Sequence, residues 1–195
     1  VMSPVNYVQA STGSRSDAMA LSDVSSRPAA TTALYLIFRI EADYYALAAS
    51  EIEMVLKQQS LKKLPGAPTW VAGLLHLDGQ IVPVIDIYQR ILQRPASAQS
   101  STRIVIVNYD NDKLLGLLLE KVNTFERLNI NGWMDATIQL YNTDFLASVQ
   151  QHASLGLIQN IELSLLLPED IQQLLFQKVQ QSPAPATEQQ SGPTP

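Results

Sequence analysis

LPGAPTWVAGLLHLDGQIVPVIDIYQRIL, residues 64 to 92, carries two kinds of signal in one stretch. Pro65, Gly66 and Pro68 fit neither a helix interior nor a central strand, so they force a turn. Thr69 to Val71 then leaves room for about one helical turn at ~3.6 residues per turn. Beyond it Leu75, Leu77, Ile81, Pro83, Ile85 and Ile87 alternate with His76, Asp78, Gln80 and Asp86, the period of a half-buried strand. Asp78-Gly79 interrupts the run at its middle and marks a two-residue hairpin, whose central residues both need positive φ. Pro83 has no N–H for a ladder, so its strand is expected to be an edge or to bulge there.

Working outward, 46% apolar residues over 195 are enough for a substantial core. The ends stand apart from it. Residues 1–32 are rich in Ser, Thr, Ala and Pro, and 179–195 in Gln, Pro, Ser and Thr, so both are expected to be disordered tails around a body at 33–178. With no cysteine, disulfides and thiolate metal sites are excluded, which fits a reducing, cytoplasmic setting. No apolar run approaches the roughly 20 residues of a membrane span, so no membrane insertion is expected. A net charge of -5 has the wrong sign for a nucleic-acid partner.

LYLIFRI (34–40) and YYALA (44–48) read as a hairpin turning at Ala42-Asp43, while SEIEMVL (50–56) keeps both helical and strand spacing. Lys57, Lys62 and Lys63 form a small basic cluster for which a plain solvated face is the default reading. IDIYQRIL (85–92) can tighten into a short helix. TRIVIVNY (102–109) and LLGLLLEKV (114–122) form a second hairpin, with Gly116 suggesting a bulge or bend. NTFERLNI (123–130) continues as strand, Asn131-Gly132 signals a turn, and residues 133–144 give little. FLASVQQ (145–151) and LGLIQNIEL (155–163) make a further hairpin. Pro168, Glu169 and Asp170 open a helix with Ile171, Leu174 and Leu175 on one face. The unit at IVPVIDIYQRIL resembles the one at GLIQNIELSLLL about 75 residues later, hinting at two similar halves. At least eight short strands and little helix indicate an all-β barrel or sandwich, with a pair of small barrels preferred.

Catalytic patterns are missing. There is no phosphate loop, no Gly-x-Ser-x-Gly elbow and no zincin pair. His76 near Asp78 and Asp86 could be imagined as a His-Asp pair, yet no nucleophile stands with it. The plainer reading puts His76 on a polar strand face and Asp86 in a cap. No cofactor or metal is expected. Apolar strands with few charges suit a protein that presents surfaces to partners.

FRIEADYYALAASEIEMVL, LKKLPGAPTWVAGLLHLDGQIVPVIDIYQRI and STRIVIVNYDNDKLLGLLLEKVNTF together resemble CheW-like domains, the coupling modules of bacterial chemosensory systems. The shared elements are the apolar strand, acidic turn and Tyr-Ala-Leu from Phe38 to Leu47, then Pro65 to Pro68, Val71 to Leu74, Gly79 to Asp86, Thr102 to Val107, and Gly116. The likeness spans about residues 34–177. The ending GLIQNIELSLLLPEDIQQLLF is similar to short CheW-like proteins of pathways other than swimming chemotaxis, including surface sensing. The resemblance implies two five-stranded SH3-like β-barrels with a shared hydrophobic core, short helices and a C-terminal helix. It also implies no catalytic activity, a CheA-type histidine kinase regulatory domain bound at one barrel end, and a chemoreceptor cytoplasmic tip in the groove between barrels.

Carried onto this chain, the partner-binding residues are Ile52, Met54, Asp78, Gly79, Val122 and Phe125. Two of them depart from the family pattern, which has Glu at the place of Met54 and Arg at the place of Asp78. In the family these are neighbours of opposite charge at the receptor-facing groove. Losing both together avoids leaving one charge unpaired, which suggests a changed partner. Alternatively Met54 is core and Asp78 merely opens its turn. The functions open at this point are a chemosensory adaptor, a diverged scaffold for a motility or second-messenger output outside any receptor array, and, last, a hydrolase around His76 and Asp86.

Overall fold

The computed structural model describes residues 31–110, 113–136 and 144–179. The expectations for 1–32 and 179–195 fall outside them, apart from Thr31, Thr32 and Val179. Eleven strands fill the described chain. The first sheet uses β1 (Thr32–Ile40), β2 (Asp43–Ala48), β8 (Val122–Asn129), β9 (Met134–Asp135), β10 (Ser148–His152) and β11 (Gly156–Asn160), in the order β8-β1-β2-β11-β10-β9. The second uses β3 (Ile52–Lys57), β4 (Val71–Leu77), β5 (Gln80–Asp86), β6 (Arg103–Asp110) and β7 (Lys113–Leu119), in the order β3-β6-β7-β5-β4. Two helices, α1 (Ile87–Leu92) and α2 (Glu169–Val179), complete it. Among the described residues no helix is long and apolar enough to cross a membrane.

The two sheets repeat one plan. In each, a hairpin (β1-β2 or β6-β7) takes on a parallel strand (β11 beside β2, β5 beside β7), which is hairpinned to the strand before it. The strand that follows each hairpin leaves for the other sheet: β3 pairs with β6, and β8 with β1. The sequence hint of two halves is thus real in plan, but each half lends a strand to its sibling. Neither barrel is a continuous segment, because each needs an edge strand from the other half.

That exchange explains the long unbroken apolar runs. Leu36, Phe38 and Ile40 of β1 and Val105 and Val107 of β6 face a common seam with Leu115, Leu117, Ile85 and Phe145. The alternate residues turn inward, Tyr35 and Ile37 into the first barrel, Ile104 and Ile106 into the second. Strands buried on both faces lose alternation and read as solid hydrophobe. α2 follows the first barrel in sequence but stacks Phe176 on Tyr109 of β6, with ring centres 5.8 Å apart. Its start after Pro168 and its apolar Leu175 are as expected.

Several local expectations need correcting. The first hairpin turns at Glu41-Ala42, with Glu41 at φ 54°, one residue earlier than expected. Thr69 and Trp70 close only a single Val71 N–H to Pro68 C=O bond of 2.9 Å, and Val71 already belongs to β4. Residues 49–51 form a 3-10 turn, and the ambiguous segment resolves to β3. β5 is an inner strand despite Pro83, tolerated because the β7 ladder begins only at Val84, one residue beyond the missing N–H. Gly116 sits in regular ladder, and the irregular register of that hairpin falls between Asn108 and Asp110. What needs glycine there is close approach, since an added Cβ would lie 2.9 Å from Val84 Cγ2 and 3.1 Å from Ile104 Cγ2. At Asp78-Gly79 the expected turn is present, with φ of 47° and 83°.

Candidate partner-binding surface

The seam is not covered to its ends. Leu36 is fully buried, and directly opposite it on β8 stands Phe125, 47% exposed. Opposed residues of a ladder share a face, so Phe125 lies on the seam side of the first sheet, where Leu34, two residues before Leu36, is 40% exposed. Val122, opposite Phe38, rests half-buried on the seam core. The second sheet repeats the arrangement on β3. Ile52 opposes Val107 and packs on the seam, and Val55 opposes Val105 and is 42% exposed.

Both lips depend on an irregularity of register. On β8 the register shifts between Val122 and Thr124, and on β3 between Ile52 and Met54. An extra residue swings the strand, so apolar residues three apart, Ile52 with Val55 and Val122 with Phe125, share a face that simple alternation would deny them. Sequence alternation had put Ile52 and Met54 together. Instead Met54 opposes Ile106 and packs inside the second barrel, half-buried with Leu56 and Leu75. Asp78 and Gly79 are exposed at the tip of the β4-β5 hairpin, in the strand pair at the far end of the hydrogen-bond order from β3. Of the six expected contact residues, Ile52, Val122 and Phe125 share the seam, Met54 lies inside the second barrel, and Asp78 and Gly79 form the exposed β4-β5 tip. Leu34 and Val55 belong to the same surface, and the sequence mark of it is the apolar i, i+3 pair shared by IEMV (52–55) and VNTF (122–125).

Side-chain bonds also join the two sheets. The Tyr88 hydroxyl of α1 donates to the Arg39 carbonyl of β1 at 2.7 Å. Arg94 spans both sheets, donating to Glu120 Oε1 at 2.8 Å after β7 and to Glu41 Oε1 at 3.1 Å in the β1-β2 turn. Burial works to raise the Glu120 carboxyl, but the bonds from Arg94 and the Ser97 amide outweigh it and hold the group below the usual carboxylate range. Glu51, in the crossing from β2 to β3, is pushed up to about 7 by burial and by the nearby Glu162 carboxylate. The Arg90 guanidinium lies 4.4 Å from the Trp70 ring centre and 5.2 Å from that of Phe145, and burial lowers its pKa.

No catalytic arrangement converges here. His76 is exposed on β4, and Asp86 spends both oxygens on structure, accepting from Gln89 N–H at 3.0 Å as the cap of α1 and from Ala96 N–H at 2.8 Å. His152 accepts from the Leu155 N–H at 3.2 Å inside its own turn. Among the described residues no three metal-ligating side chains cluster.

Against known proteins, the CheW-like domain pattern matches residues 34–167. A chemotaxis protein CheW of Bacillus subtilis is 26% identical over 88 residues, 45% of this chain and 56% of that protein. Protein PilI of Pseudomonas aeruginosa is 25% identical over 85 residues, 44% of this chain and 47% of that one. The chain spans about half the length of these relatives. The crystal structure of the scaffolding protein TtCheW from Thermoanaerobacter tengcongensis superposes with a TM-score of 0.64 at 22% identity, covering 73% of this chain and 92% of that one, which establishes the paired SH3-like barrels.

Proposed function

This chain belongs to the CheW-like domain family, whose members are scaffolds and adaptors without enzymatic activity, and on that premise we propose that it couples chemoreceptors to a CheA-type histidine kinase. The observation that carries the reading is the uncovered seam: Leu34 and Phe125 extend a fully buried core into solvent on one sheet, and Val55 does so on the other. An exposed apolar strip beside a rigid core suits the apolar face of a helical bundle, such as a receptor cytoplasmic tip laid in the groove between barrels. The kinase regulatory domain docks at a barrel end. A partner that favours one setting of the complex biases the affinity of the other by linkage, with no chemistry performed by the coupler. Cytoplasmic receptor tips and a kinase regulatory domain, offered to the full chain together, should form a ternary complex. Phe125→Asp should release the tip and keep the kinase domain, and capture of neither partner by wild type would refute the reading.

A second reading rests on Asp78, exposed at the β4-β5 tip where the family pattern has Arg. On it that acidic tip takes a different partner, and the chain serves a motility or second-messenger component outside a receptor array. On that reading Asp78→Arg binds ordinary chemoreceptor tips better than wild type does. Tighter binding by wild type would dispose of it.

A further inference from the structure

The described chain has three buried polar side chains, Asp86, Thr102 and Glu120, and all three serve the same loop. Asp86 Oδ2 accepts from Ala96 N–H at 2.8 Å, and Glu120 Oε1 accepts from Ser97 N–H at 2.8 Å. The Thr102 hydroxyl donates to Ser97 C=O at 2.7 Å and accepts from Gln99 N–H at 3.2 Å. Arg103 then donates to Ser100 C=O at 2.7 Å. PASAQSS is a composition that would otherwise stay loose, and burying polar groups is costly unless they are well paired. Here the cost is concentrated on fixing one surface segment.

That segment is the wall of a cleft of about 800 Å³. The opposite wall is the β3-β4 connection, and the lining includes Lys57, Lys63, Gln58, Gln99 and Ser100. Its charge runs against the rest of the molecule. In a chain of net charge -5, Lys57 stands directly opposite Arg103 in the β3-β6 ladder, a like-charge pairing that destabilises a sheet. Among the described residues no ion pair involves Lys57, Lys63 or Arg103; the ion pairs are those of Arg94 and Lys113. Lys63 makes one bond of 3.2 Å to the Ala72 carbonyl. The acidic lining residue, Asp86, has both oxygens engaged by amides.

We propose that this cleft is a preorganised docking site for an acidic, Glu- or Asp-rich segment of a protein partner, held by Lys57 and Lys63 of its lining with the Gln58 and Gln99 side chains pairing its backbone. The size, the mixed polar lining and the open shape favour an extended peptide. It lies on the second barrel alone and needs neither the seam nor the coupling function.

The test uses the full chain and a fluorescent oligoglutamate peptide, with an oligoglutamine peptide of equal length as control. Oligoglutamate should bind, oligoglutamine should not, and affinity should fall steeply with added salt. Lys57→Glu with Lys63→Glu should weaken binding about tenfold or more while the circular dichroism and melting curve persist, since both residues are at the surface. Thr102→Val, which keeps every charge but frees the loop, should weaken it also. Equal binding of both peptides, indifference to the charge reversal, or displacement by inorganic phosphate at equal charge concentration would each overturn the assignment, the last by making it an anion site and not a peptide site.

Discussion

The Tyr88 hydroxyl donates to the main-chain carbonyl of Arg39 across 2.7 Å, fastening the helix after β5 of one barrel to β1 of the other. Burial is the main reason its pKa rises to about 12, so the proton needed for the bond stays in place throughout the neutral range. Tyr88→Phe leaves the Arg39 carbonyl without this donor and should cost about 1 kcal/mol. The urea midpoint should fall with the slope unchanged.

Two carboxylates give opposite pH signatures. Glu51, at about 7 when folded against 4.5 ordinarily, makes the native state bind more protons than the unfolded one over that window. Its contribution is therefore full below about 4.5 and is lost as pH rises towards 7. Glu120 is held below its ordinary value, so its contribution is present above about 4.5 and is lost on acidification. Melting temperatures of Glu51→Gln should be less sensitive to pH between 5 and 7 than wild type and higher at pH 8. Glu120→Gln should flatten the acid limb and lower the neutral plateau. The reverse pattern would show that the burial and pairing are misassigned.

Gly116 lies between Val84 and Ile104 with no room for a methyl group. Both neighbours are branched and packed in the second barrel, so Gly116→Ala should destabilise by about 1–3 kcal/mol through overpacking. The paired substitution Gly116→Ala with Val84→Ala should recover part of that loss, measured by chemical denaturation.

Leu34 and Phe125 carry little of the fold and much of the proposed groove. Phe125→Ala and Leu34→Ala should shift the melting temperature little, because each side chain is already partly in water. Binding of a receptor tip, read by interferometry, should weaken about tenfold for Phe125→Ala if it is an anchoring contact. Val55→Ala, on the corresponding lip, should behave similarly.

The sequence by itself determined what depends on neighbours along the chain. Asp78-Gly79 announced its hairpin because few other pairs accept two positive φ values, Pro168-Glu169-Asp170 announced α2, and Asp86 its helix cap. The motif succession from Phe38 to Gly116 pointed to the paired barrels. Only the tertiary structure decided which strands leave their own half, that β5 is an inner strand despite Pro83, that the shifts beside Ile52 and Val122 turn Met54 inward and leave Val55 and Phe125 on the seam, and that Asp86, Thr102 and Glu120 all hold one loop. The physical reason is that turn and cap energies are set within a few residues. A strand buried on both faces carries no local mark of which neighbour covers which face, and that choice is made by packing between segments far apart in the chain.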